Sequence, residues 1–401
     1  MTISFWLNEK SQEKSLRKCD LAVIGAGLTG ASTAYFARRL KPDLDIIVVD
    51  GGRVAGGASG RNAGFVLRGI SRYYDNCIKQ YGRAKARQIY QFGEENQALV
   101  KEFMAGHGVS LDYVGSGSYI LASSIEELEE LLASAELMKE DGFALKFHRQ
   151  DPLDRGFYGA IENTDDFGID PVKLVKALLA ASEAQVFEQE TVLHLECDGR
   201  VNLYTSSGAI EAEAVVLANN AFMPLLLKEL LPHIKPVRGQ MLATAPLRKR
   251  LLDRVCYANY GFEYFRQLQD LRLLVGGSRQ HFAKEEEGWG EMITAPLQEV
   301  LEHYIKEYFP EAAGVPIEYR WSGTMAFTND GLPLLGRWLG EDAEGVYLAG
   351  ACNGHGLGLA MTLGRLVTEI IYKGSGCDIF DCNRLRSSGV KMERGQLISG
   401  P

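Results

Sequence analysis

A chain of 401 residues is longer than one hydrophobic core usually organises, so two domains are expected. Its 46% hydrophobic and 24% charged residues suit a globular enzyme, and a formal charge of −9 leaves no basic stripe for nucleic-acid phosphates. Seven cysteines with no CxxC pair argue against a disulfide framework or a zinc site, and no HExxH spacing exists, so no metal is expected. Residues 1–20 mix charges through any apolar stretch, so they do not read as a secretory leader, and a cytoplasmic location follows.

In chain order, 21–24 is a short apolar run suited to a buried parallel strand. A glycine turn follows at 25–30, then a helix over 31–40 and a second strand over 46–49 that ends at Asp50. Residues 83–106 and 125–140 read as helices, with a strand over 113–122 between them. Asp170 and Pro171 supply an N-cap and a first-turn proline for a helix over 172–181. A hairpin is expected at 190–196 and 200–206, and a buried strand at 214–218. A second antiparallel pattern runs over 255–266, a turn at 269–270, and 271–278. Period two along 255–266 places Tyr260, Phe262, Tyr264 and Arg266 on one face. The chain closes with a strand at 345–349, a glycine-rich turn and a helix over 359–372.

Three glycine-rich segments carry the chemistry. Gly25, Gly27 and Gly30 follow a strand and open a helix, and Asp50 lies 20 residues beyond the third glycine. That context is the dinucleotide fingerprint: a tight turn, close backbone approach to a pyrophosphate, helix packing, and an acid for a ribose diol. The run Gly56–Gly64 can offer backbone N–H groups to anionic oxygens, with Arg61 and Asn62 as fixed donors. Between the last strand and helix, Gly350, Gly354, Gly356 and Gly358 surround His355, beside a second helix N-terminus able to stabilise a reduced flavin. His355 reads equally as a general acid or base and as a residue that shapes its loop.

These segments, with PVRGQML at 236–242 and WSGTMAFTNDGLPLLG at 321–336, resemble the D-amino-acid oxidase superfamily of FAD-dependent oxidoreductases. They are most similar to its gamma-glutamylputrescine oxidoreductase and glycine oxidase branch. The resemblance covers about residues 19–372. It implies an α/β fold, a discontinuous Rossmann-like FAD-binding domain (1–80, 150–222 and 320–401) and an inserted substrate domain on a largely antiparallel mixed sheet (81–149 and 223–319). It implies non-covalent FAD held by Gly25, Ala26, Gly27, Leu28, Thr29 and Gly30, with Asp50, Gly51 and Arg53 toward the adenosine. Ser59, Gly60, Arg61, Asn62, Ala63 and Gly64 would line the flavin and ribityl chain, and Val192, Ala218 and Asn219 would complete the nucleotide end. Gly350, Gly354, His355, Gly356, Leu357 and Gly358 would face the flavin ring.

The departures bear on the substrate. Amino-acid-oxidising relatives carry an arginine where Met325 stands, and its loss removes a bidentate carboxylate partner unless another element restores one. No cysteine in 321–336 offers a covalent flavin link, and 271–276 lacks the lysine that promotes reaction with oxygen in sarcosine oxidase-type relatives. The expected reaction is hydride transfer from the carbon of a neutral amine to flavin N5, giving an imine. Tyr260, Tyr264, Arg266 and His355 are the candidate catalytic residues. An oxidase or dehydrogenase of amino acids and an electron-transfer subunit are the alternatives.

Overall fold

The computed structural model describes residues 15–340 and 343–387. Residues 1–14, most of the stretch read for leader character, and 388–401, counted above with the FAD domain, lie outside the described residues. Five strands run parallel through the first sheet, in the order Gln185–Phe187, Ile46–Val49, Ser15–Ile24, Gly208–Leu217 and Val346–Gly350. An antiparallel strand, Leu334–Arg337, closes one edge, and the hairpin Val192–Asp198 and Arg200–Thr205 is attached to Gly208–Leu217. Leu21 and Val23 pack into a cluster with the helices Leu28–Leu40, Pro171–Ser182 and Ala360–Lys373, while Ala22 and Ile24 pack into the cluster on the other face. Burial on both faces is why these strands read as unbroken apolar runs.

The first helix begins at Leu28, inside the glycine motif rather than at residue 31, with Gly27 as its extended N-cap. Gly30 therefore lies within the first turn, where a Cβ would overlap the Gly25 carbonyl oxygen. At the helix Pro171–Ser182, Asp170 caps as expected, its carboxylate accepting from the N–H groups of Val172 and Lys173.

The second sheet has the order Ile317–Thr328, Ile234–Thr244, Leu273–Gly277, Glu263–Gln267, Val255–Ala258, Ser118–Ala122, Gly159–Asn163 and Lys146–His148. All its pairings are antiparallel except Val255–Ala258 with Ser118–Ala122. Gly159–Asn163 and all but the first three residues of Ile317–Thr328, counted above with the FAD domain, belong to this sheet, because strand membership is set by partners distant in sequence. The helix Arg83–His107, counted with the substrate domain, packs its Asn96 against the late glycine turn. The Asn96 side chain donates to the Leu357 carbonyl at 3.0 Å and accepts from Met361 N–H at 2.9 Å.

The strand expected over 255–266 is broken. Asn259, Tyr260 and Gly261 have φ of 49°, 55° and 78°, a left-handed run that turns the chain between two short strands. Tyr260 therefore sits in a hairpin turn and shares no strand face with Tyr264 and Arg266. The helices Tyr74–Tyr81 and Ala295–Tyr308 were not anticipated. Among the described residues, no helix is long and apolar enough to cross a membrane.

Candidate cofactor and substrate cavity

A cavity of about 710 Å³ opens where the parallel strands of the first sheet end, and reaches across to the second sheet. Ile24, Val49 and Gly350 end three of those strands and line it, as does Ala218 just after a fourth. This is the crevice at strand C-termini where open α/β sheets hold ligands.

At the entry end, the Asp50 carboxylate accepts from Ala26 N–H and from Gly52 N–H, both at 2.7 Å. It thus ties the glycine turn to the end of the neighbouring strand. The helix N-terminus is aimed into the cavity, with Gly27, Leu28 and Thr29 on the lining. Leu28 N–H donates to Ser59 Oγ at 2.8 Å, and a Cβ on Gly27 would stand 2.6 Å from that hydroxyl. Gly51, Val192, Ala218 and Asn219 also line this end, and among the described residues the buried Asn219 Oδ1 has no hydrogen-bond partner. Arg53 is exposed and does not line the cavity, since the chain leaves Asp50 on the solvent side.

Arg61 and Asn62, expected as donors to a ligand, line the cavity but direct much of their hydrogen bonding to the protein. Arg61 donates to the carbonyls of Gly56 at 2.6 Å and Ser322 at 3.0 Å, and pairs with Glu291 at 2.7 Å. The Asn62 amide donates to the Ser59 carbonyl at 2.7 Å and accepts from Gly64 N–H at 2.8 Å. Ser59 and Ala63 line the cavity; Ala26, Gly30, Gly60 and Gly64 do not. Added Cβ atoms on Gly60 and Gly64 would overlap the carbonyl oxygens of Ala55 and Ile169, so these glycines let the loop pack.

The late turn forms the cavity wall nearer the second sheet. Ala351, Asn353 and Gly354 have φ of 52°, 51° and 83°. Asn353 holds this left-handed run, accepting from Thr328 N–H at 2.8 Å and donating to the Ala351 carbonyl at 3.0 Å. Gly350, Gly354, His355, Gly356, Leu357 and Gly358 all line the cavity. The His355 ring stacks on Tyr257, with centroids 5.9 Å apart, and its Nδ1 faces the Asn353 carbonyl at 3.4 Å. Burial, with Arg279 adding repulsion, lowers its pKa to about 4, so the imidazole is neutral at pH 7.

Tyr257, Tyr264, Phe262, Met325 and Phe327 line a chamber beside this turn. Tyr264 Oη and Met325 Cε both approach Gly239, lying 3.3 Å and 3.1 Å from where its Cβ would be. Burial raises the pKa of both tyrosine hydroxyls, which therefore stay protonated donors. Tyr260 lines the chamber's rim, its ring stacked on Tyr73 and its hydroxyl donating to Glu130 at 3.1 Å.

Arg266 is a correction to the catalytic set. It is buried at 3% exposure and absent from the lining, and its guanidinium donates to the carbonyls of Ala63, Gly64 and Ile169 at 3.0 to 3.3 Å. On the strand Glu263–Gln267 it sits two residues beyond Tyr264, behind the loop that the chamber adjoins. Burial lowers its pKa to about 10, which still leaves it charged at pH 7. Tyr257 and Arg279 are chamber residues that the pattern did not single out. Tyr257 reaches the chamber by cross-strand pairing with Tyr264, and Arg279 follows a turn with no motif.

The family model described as "DAO: FAD dependent oxidoreductase" matches residues 20–370. The chain is 27% identical over 372 residues to gamma-glutamylputrescine oxidoreductase of Escherichia coli (strain K12), covering 88% of this chain and 83% of that protein. It is 26% identical to glycine oxidase of Bacillus licheniformis, covering 88% and 93%. Among solved structures, glycine oxidase from Geobacillus kaustophilus superimposes with a TM-score of 0.77 at 22% identity, over 91% of this chain and 97% of that one.

Proposed function

Because the chain belongs to the DAO family of FAD-dependent oxidoreductases, we propose that it oxidises the C–N bond of an amine, primary or secondary, to an imine. The relatives' names refer to amine or amino-acid substrates, which supports the donor class. FAD, when bound, supplies the two-electron acceptor for the hydrogen and electron pair that leave the carbon next to nitrogen.

The residues present fit that group. Beyond Leu28 N–H, which Ser59 Oγ accepts, the helix N-terminus at Gly27 would offer its remaining N–H groups and positive dipole to a pyrophosphate, and Asp50 would accept from a ribose diol. The orphaned Asn219 Oδ1 awaits a donor at the same end. Gly354 to Gly358 would lie along the ring edge, beside the chamber.

The observation that carries the amine reading is the composition of the chamber. Among the described residues, the carboxylates lining the cavity, Asp50 and Glu190, stand at the nucleotide end, and no lining carboxylate accompanies Tyr257, Tyr264 and Met325. A chamber without an acid discriminates against an ammonium and admits the neutral amine, the form that can release the electron pair. Tyr264 and Tyr257 donate hydrogen bonds that orient the donor, and neutral His355, with its Nδ1 proton toward the Asn353 carbonyl, accepts one at Nε2.

Anaerobic mixing of the yellow holoenzyme with a panel of amines and amino acids tests this. Loss of the flavin band with amines is expected. A protein that no donor reduces would instead be an electron-transfer subunit, and repeating the assay in air with peroxide detection reads the acceptor.

A further inference from the structure

Gly356, Leu357, Gly358, Leu359, Ala360 and Met361, at the end of the late turn, carry no polar side chain, so their backbone groups need partners from elsewhere. The helix Ala360–Lys373 starts without a side-chain cap, its N-cap being Leu359. Asn96, on the helix Arg83–His107, is fully buried and does not line the cavity. Its amide uses both its donor and its acceptor here, on the Leu357 carbonyl and on Met361 N–H. The Leu357–Gly358 peptide is thereby held at both ends, since Gly358 N–H donates to the His355 carbonyl at 3.1 Å. Just before it, the N–H groups of Gly356 and Leu357 have no acceptor among the described residues, and both residues line the cavity. Other ties between the two helices do not reach the turn: Thr362 Oγ1 donates to the Phe92 carbonyl at 3.2 Å, and Arg365 pairs with Glu95 at 2.6 Å.

From this arrangement we infer that Asn96 is a positioning residue for the flavin. By fixing the Leu357 carbonyl and Met361 N–H relative to each other, it aims the Gly356 and Leu357 N–H groups at the ring edge and so helps to set the flavin's reduction potential. The inference rests on the reading that this turn lies along that edge. A flavin gains negative charge on its N1 and O2 side when reduced, so N–H donors and the positive end of a helix stabilise the reduced form more than the oxidised one. That difference depends on direction, because a hydrogen bond weakens steeply as its donor tilts out of line. An amide at this position donates and accepts at once. A leucine of similar volume makes neither bond, and a serine hydroxyl stops where the Asn96 Cγ lies, short of both partners.

The test is the reduction potential of the flavin in the holoenzyme, read by equilibration with a dye of known potential. Asn96→Leu should shift the balance toward oxidised flavin by about tenfold, a fall of roughly 30 mV for a two-electron couple. Asn96→Ser, a smaller change, should move the potential in the same direction and gives the answer where the leucine variant fails to retain FAD. Thr362→Val cuts a neighbouring tie between the same two helices; it should lower the melting temperature and leave the potential in place. A residue that only holds the fold together weakens oxidised and reduced FAD alike and does not move the potential. An unchanged or raised potential in the Asn96 variants, or an equal fall in Thr362→Val, would overturn the inference. His355→Asn separates that failure from a misplaced ring. If it perturbs the flavin spectrum while the Asn96 variants leave the potential unmoved, the ring lies at the turn and only the role of Asn96 is lost. If neither responds, the placement of the ring falls as well. No amine enters the measurement, so the proposed reaction stands or falls by its own assay.

Discussion

Replacing Asp50 by alanine removes an acceptor that serves two backbone donors at once, Ala26 N–H and Gly52 N–H, each at 2.7 Å. Hydrogen bonds to a charged acceptor contribute about 1.5–3 kcal/mol each, but both donors sit where water can partly replace the carboxylate, so about 2 kcal/mol in total is a fair expectation. Because Ala26 belongs to the turn between Gly25 and Gly27, slack there misplaces the helix N-terminus offered to a pyrophosphate. Losing the ribose acceptor adds a term of similar size. Together these raise the FAD dissociation constant about 30- to 1,000-fold. Asp50→Asn keeps one acceptor oxygen but turns an amide donor toward the other N–H, so it should fall between the two. The assay is titration of deflavinated protein with FAD, following quenching of flavin fluorescence, with circular dichroism to confirm folding. A dissociation constant within threefold of the parent in Asp50→Ala would refute both the tether and the ribose assignment.

Three further outcomes follow from the same geometry. Gly30→Ala should cost about 1–3 kcal/mol through overlap with the Gly25 carbonyl, seen in thermal melts with and without FAD; an unchanged melt would show that the turn can move freely. Arg266→Met leaves the carbonyls of Ala63, Gly64 and Ile169 without that donor. Stability in urea should drop by about 2–4 kcal/mol and FAD retention should weaken, whereas a fall in kcat alone would return Arg266 to the catalytic set. His355 stays neutral in the folded protein down to about pH 4, while the unfolded chain takes up its proton near 6.5. Stability should therefore fall as pH drops from about 6.5 to 4, and His355→Asn should flatten that slope. An ionisation near pH 6.5 in the parent's kcat/KM profile that disappears in His355→Asn would show that the imidazole is not held neutral.

How much was legible in the residues differs between the two halves of the cavity. The nucleotide end is written in local order: a strand, a helix and an acid within 36 residues bring Gly25, Gly27 and Asp50 together through one β-α-β unit. Local spacing suffices because each partner is the next element along the chain. Even there, Arg61 and Asn62 looked like ligand donors because nothing local shows that Gly56, Ser59 and Ser322 carbonyls would claim them.

The chamber end was decided by the tertiary structure. Alternation along 255–266 suggested a single strand, but three consecutive left-handed residues fold it into a hairpin, which brings Tyr257 opposite Tyr264 and moves Tyr260 to the rim. Arg266 had the composition of a substrate clamp, yet it lies beneath the Gly64 loop, while Arg279, which no motif marked, faces the open space. Periodicity reports which residues share a face. It carries no record of which face meets a ligand, because that depends on how two sheets formed from interleaved segments close over each other.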